Sequence, residues 1–128
     1  MIQKITKGIR IAVKTKYEGT FYNQNNLNYS FSYRITIENK GKSTVQLNRR
    51  KWIIKDALNH TEVIEGEGVI GEQPILKPGE THYYKSGCIL SAPLGSMKGN
   101  YTMLDFKDSS FFEVIIPSFK LSAPFVVN

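Results

Sequence analysis

One cysteine, two histidines and one tryptophan are all that this chain of 128 residues carries of the three scarcest side chains. The lone Cys88 excludes an intrachain disulfide, so the fold must stand on packing. The N-terminus, MIQKITKGIR, has no continuous apolar stretch before a small-residue cleavage site. No signal peptide is expected there, and with the free cysteine a reducing cytoplasm is the expected setting. No apolar run approaches the ~20 residues that cross a bilayer, so no membrane role is expected. His60, His82 and Cys88 stand at no spacing that suits zinc. Also missing are a Gly-x-Ser-x-Gly turn and a lysine-bearing phosphate loop. Cys88 would need a nearby base to act as a nucleophile, and an inert buried thiol is the reading its burial preference supports. The pairs Glu65/Glu67 and Asp105/Asp108 lack an apolar pocket that would split their pKa values. No enzymatic activity and no cofactor are expected.

What is present is unevenly charged. The formal net charge is +6. Residues 1–55 hold twelve Lys and Arg against Glu18 and Glu38 alone. Residues 56–80 reverse the sign, with Asp56, Glu62, Glu65, Glu67, Glu72 and Glu80 against Lys77. Interleaved strands can dissolve that polarity into an ordinary solvated surface. The cations are spread along strands and gathered in no motif, which argues against nucleic acid as a partner.

The hydrophobic period is two almost everywhere. Tyr29, Phe31, Tyr33, Ile35 and Ile37 alternate with Ser30, Ser32, Arg34, Thr36 and Glu38, the pattern of a half-buried strand. Ile9, Ile11, Val13 and Tyr17 repeat it. Asn39–Ser43, NKGKS, reads as a hairpin turn. Val45 to Ile54 resumes extended character, with a bulge or sheet crossover expected where Asn48–Lys51 break the alternation. Asn59 and His60 mark a turn, and Thr61 to Ile64 reads as a short strand. Pro78-Gly79 makes a tight turn before a strand from Thr81 to Lys85. Met97 to Phe106 and Phe111 to Phe119 form a last pair, and Pro117 suits an edge. No apolar spacing of i, i+3, i+4, i+7 persists over a helical length. These signals predict one domain over residues 1–128, an all-β antiparallel sandwich of seven to eight strands. Lacking the immunoglobulin Cys…Trp…Cys arrangement, it matches the fibronectin type III-like subgroup. Its exposed sheet edges could pair into a homodimer.

Two stretches offer a site. Gly66, Gly68 and Gly71 satisfy G-x-G-x-x-G, but Pro74 leaves no room for the helix that a dinucleotide fold places after those glycines. The plain reading is a long loop turning sharply between two sheets. The same loop offers two ligand readings, a phosphate compound on the glycines or a hard cation such as Mg²⁺ or Co²⁺ on Glu65, Glu67 and Glu72. Crowded carboxylates disfavour the anion. The second stretch is Tyr83-Tyr84 with the loop Gly87–Gly95. Adjacent strand tyrosines point to opposite faces, so one is outward. Ile89, Leu90 and Leu94 read as an apolar contact surface for a protein partner, or else as a lid on one end of the sandwich.

The runs GEGVIGEQPILKPGE and SGCILSAPLGSMKGNY resemble the signature of the ApaG domain family, and the resemblance extends from YSFSYRITIENKG to FEVIIPSFKLSAP. It implies a fibronectin type III-like sandwich, free-standing in bacteria and attached in eukaryotes to F-box proteins and a polymerase-associated protein. Those settings imply a non-catalytic binding module that mediates protein–protein interaction. The bacterial gene's neighbourhood implies a link to diadenosine tetraphosphate, and a related name implies one to cobalt and magnesium tolerance. The family's ligand suggestion attaches to Gly66, Gly68 and Gly71.

Overall fold

The structure, a computed structural model, describes residues 1–58 and 61–125. The turn expected at Asn59 and His60 lies outside them. The described residues form nine strands and no helix: β1 (Ile2–Thr6), β2 (Ile9–Asn23), β3 (Asn26–Asn39), β4 (Val45–Asp56), β5 (Glu62–Glu67), β6 (Ile75–Leu76), β7 (Thr81–Leu90), β8 (Leu94–Asp105) and β9 (Ser110–Ser122). One sheet runs β1-β2-β3-β7 and the other β5-β4-β8-β9, with β6 also paired to β4. All pairings are antiparallel. The architecture is the expected β-sandwich. The strands not anticipated are β1, whose residues lie mostly exposed, and β6, which is too short to show a period.

Alternation explains the core. Ile9, Ile11 and Val13 of β2 and Phe31, Tyr33, Ile35 and Ile37 of β3 face Trp52, Met97, Tyr101, Met103, Val114, Ile116 and Phe119 of the other sheet, all buried. Each such side chain contributes about 1.5–3 kcal/mol on leaving water. An aromatic cluster spans the layers, with Trp52 5.4 Å from Tyr33 and 5.9 Å from Phe119 between ring centroids.

Two connections differ from the sequence reading because neighbouring strands in sequence are not neighbours in a sheet. NKGKS joins β3 to β4 across the sandwich, so it is an arch and not a hairpin turn. The buried Asn39 holds that arch: its side-chain amide donates to the carbonyls of Ser43 and Leu76, both at 2.9 Å, and its Oδ1 accepts from Gly41 N–H. The glycine-rich stretch after β5 does not cross between sheets, since β5 and β6 both pair with β4; the crossing comes at Lys77–Glu80. The break at Asn48–Lys51 is a bulge, with the register shifting between Leu47 and Arg49. Pro117 sits on edge strand β9 where the β8–β9 register also shifts, so no ladder hydrogen bond is lost.

The two open sides of the sandwich are unlike. On one, β1 and β9 are laced by the Ile115 N–H donating to Thr6 Oγ1 at 3.3 Å. On the other, β5 and β7 are the sheet edges and a cleft lies between them.

Candidate functional site

The β4 bulge turns Arg50, Trp52 and Ile54 toward the interior, and β5 sets Gly66, Ile64 and Glu62 opposite them. From the other sheet Tyr84, Ser86 and Cys88 of β7 face inward, with Tyr33 paired to Ser86. All of these residues except Gly66 line a cleft of about 600 Å³. At its depth the Tyr84 and Tyr101 hydroxyls share a hydrogen bond. Burial raises both phenols above the usual tyrosine range, and burial raises Tyr33 as well. All three are neutral hydroxyls at physiological pH.

Cys88 is held as the thiol. Burial, reinforced by the Glu62 and Asp56 carboxylates, pushes its thiol up to about 11, so thiolate is scarce. His82 shares the strand, but six residues of extended chain span about 20 Å, far beyond proton-transfer reach. Its Nε2 lies 3.8 Å from Glu72 instead. His60 falls outside the described residues.

The three glycines each have a local reason. A side chain at Gly66 would meet the Arg50 guanidinium at 2.9 Å, and that guanidinium donates to the carbonyls of Glu67 and Gly68, both at 2.9 Å. Gly68 has φ +60°, and a Cβ there would fall 2.1 Å from the Glu72 carbonyl oxygen. Gly71, at φ +74°, completes a two-residue turn in which Val69 and Glu72 exchange hydrogen bonds of 2.8 and 3.0 Å. The amides of Gly68, Val69 and Glu72 are thus committed within the chain and not aimed at an anion. Nor do Glu65, Glu67 and Glu72 converge: among the described residues no three His, Cys, Asp or Glu side chains meet in a metal-holding group.

The other half of this turn is unusual. Ile70 takes φ +48° and stands 61% exposed at the lip of the cleft. A β-branched residue in left-handed geometry is strained, and an exposed one gains no burial in return. Sequence reading passed over Ile70, because nothing in GVIG distinguishes which residue takes the left-handed position.

The Gly87–Gly95 stretch is mostly strand. Gly87–Leu90 ends β7, Ser91–Pro93 arches between sheets, and Leu94–Gly95 begins β8. Ile89 is 59% exposed, Leu94 is half-buried, and Leu90 is buried, not exposed as its loop-like context suggested. Tyr83 points outward at 72% exposure, while Tyr84 faces the cleft. The arch is tied to the end of β4, since Asp56 accepts from the Ser91 amide and hydroxyl, both at 2.7 Å, and from Leu58 N–H at 3.2 Å. Burial alone would raise the Asp56 carboxyl, but the donors from Ser91 and Leu58 outweigh it and hold the group below its usual range. Its stabilising share is therefore complete above the unfolded value near ~3.9 and is lost as pH falls through the lower folded value. Asp56→Asn is expected to cost about 1 kcal/mol at pH 7. Its deficit relative to the parent should shrink below pH ~4 in urea melts; a deficit independent of pH would refute the charge argument.

Comparison with known proteins places these features in a family. Residues 19–105 match the model of the ApaG domain. The Protein ApaG of Paramagnetospirillum magneticum is 41% identical over 124 residues, covering 97% of this chain and 95% of that protein. The Protein ApaG of Parvibaculum lavamentivorans is 44% identical over the same length, with the same coverage. Among solved structures, a structural-genomics target superposes with a TM-score of 0.88 at 38% identity, covering 94% of this chain and 90% of the other. A Bordetella pertussis protein described as ApaA gives 0.81 at 34% identity, covering 92% and 95%. On the match over most of its length to relatives of this kind, the chain belongs to the ApaG domain family.

Proposed function

We propose that the protein is a non-catalytic interaction module that engages a protein partner along the free edge of β7 and the mouth of the β5–β7 cleft. The observation that carries this reading is the pair Ile70 and Ile89, both largely exposed among the residues that line the cleft. Ile70 is held there against backbone strain that the fold does not require for burial. Exposed isoleucines beside a cleft with both polar and apolar walls suit a partner's side chain, which would bury them and enter between the sheets. The chemistry of the cleft fits binding and not turnover: its hydroxyls and thiol are neutral, and Cys88 and His82 are far apart.

Affinity capture of the tagged protein from its native cells, with Ile70→Asp and Ile89→Asp alongside, tests the reading. Both variants should keep the parent's circular dichroism and lose at least one captured protein by tenfold or more. Identical captured sets from parent and variants would sink it.

A further inference from the structure

The outer face of the β1-β2-β3-β7 sheet sets like charges directly opposite one another. Lys14, Arg34 and Lys85 stand in register across three strands, all exposed. Cβ atoms in such positions are about 4.5–5.5 Å apart, and like charges there are destabilising. Lys16 follows on the same face of β2. The row four residues away is neutralised, with Arg10 Nε 2.6 Å from Glu38. For the Lys14–Arg34–Lys85 row the described residues supply one carboxylate. Glu18 lies 3.9 Å from Lys85 and accepts from Ser32 Oγ at 2.5 Å. One carboxylate against four cations leaves most of the charge unanswered.

The opposite face of the molecule solves the same problem differently. There Arg49 is in register with Glu67 and Lys51 with Glu65. The unanswered row is therefore particular to one sheet and does not follow from basic composition alone.

Beside the row lies a groove of about 410 Å³, bordered by Lys14, Arg34, Lys85, Tyr83 and Met1. Its floor includes Ala12, which sits in register with Thr36 and, across β3, with Tyr83. Ala12 faces outward yet is only 2% exposed, because the longer side chains around it form walls. A small apolar floor between cations and an exposed phenol is suited to one apolar side chain flanked by carboxylates. A single-stranded nucleic acid is a poorer fit, because such platforms stack successive bases on several aromatics, and of the two tyrosines that line this groove Tyr83 is exposed while Tyr84 turns toward the cleft.

We propose that this groove binds an extended acidic segment of a partner protein, its carboxylates pairing with Lys14, Arg34 and Lys85 and an apolar side chain seated over Ala12 against Tyr83. The proposal rests on the protein-interaction reading above and names the partner's chemistry.

The test is selection of phage-displayed random dodecamer peptides on the full chain at low salt, followed by affinity measurement on variants. Enriched peptides should carry several Asp or Glu around an apolar or aromatic residue. Their affinity should fall at least tenfold with Lys14→Glu or Arg34→Glu, and stay within about twofold with Lys55→Glu, the same charge change on the other sheet. Affinity should also fall steeply with added salt. Arg34→Gln keeps the question answerable if charge reversal disturbs the sheet, since it only relieves like-charge contacts and should melt no lower than the parent. No enrichment, enrichment without acidic residues, equal affinity for Arg34→Gln, or tighter binding of an oligothymidylate than of any selected peptide would each overturn the proposal. If native capture still depends on Ile70 and Ile89, those results reject the groove and leave the interaction module standing.

Discussion

Gly99→Ala is expected to remove much of the stability of the protein. Gly99 lies on β8, a central strand of its sheet, directly opposite Trp52 of β4. A Cβ at this position would fall 2.0 Å from the Lys51 carbonyl oxygen and 3.3 Å from Trp52 Cα. Both obstacles are backbone atoms of a paired neighbour, so no rotamer change relieves the contact. The strands must part, and the ladder that carries Trp52 into the core parts with them. Overpacking typically costs about 1–3 kcal/mol, and a backbone obstacle puts this case at or above the upper end. Against a total of about 5–15 kcal/mol, such a loss is a large fraction. Urea unfolding followed by circular dichroism measures it. Gly71→Ala, at a turn position with open space around it, serves as the comparison, because it adds left-handed strain without a clash. Equal losses in the two variants would show that close approach at Gly99 is not what demands glycine.

Trp52→Ala should be nearly as damaging, for a different reason. Trp52 is buried between Tyr33 of one sheet and Phe119 of the other, so its indole joins the two layers. Truncating a buried Trp costs about 3–5 kcal/mol through lost transfer energy and the cavity that remains. Here the new space would open onto the existing cleft, which Trp52 lines. Solvent entry relieves part of the cavity term, so the lower part of that range is expected, near 3 kcal/mol. Circular dichroism is the necessary probe, because the variant lacks the only tryptophan. A loss under about 1 kcal/mol would mean that the aromatic cluster is not what joins the sheets. In the parent, the same uniqueness makes indole fluorescence a direct reporter of anything that enters the cleft.

Much of the fold was legible from alternation. The inward faces of β2 and β3 were readable residue by residue, because period two is a local property and Ile9, Ile11, Phe31, Tyr33 and Ile35 all obey it. The β4 bulge was legible from Asn48–Lys51 for the same reason. Strands β1 and β6 were not, since an exposed strand and a two-residue strand carry no period. Leu90 was misplaced because GCILSAPLG has the composition of a loop, whereas its first four residues extend β7 and turn Leu90 inward.

The candidate site was less legible. The sequence pointed to Gly66, Gly68 and Gly71, and these explain a turn and the seat of Arg50. It did not point to Ile70, whose interest lies in a single dihedral angle, nor to the cleft, which exists because β5 and β7 end their sheets on the same side.

By itself the sequence determined that the chain is all-β, that its core is built from alternating residues, and that it carries no intrachain disulfide. These follow from local periodicity and residue counts, which need no knowledge of neighbours. Only the tertiary structure decided which strands share a sheet. That pairing turned NKGKS from a hairpin into an arch and set Arg50 against Gly66. It also drew Lys14, Arg34 and Lys85, scattered along the chain, into one row whose charge is mostly unanswered. Register is a long-range property, fixed by which backbone ladders close together, and the charge of a surface follows from register and not from the order of residues.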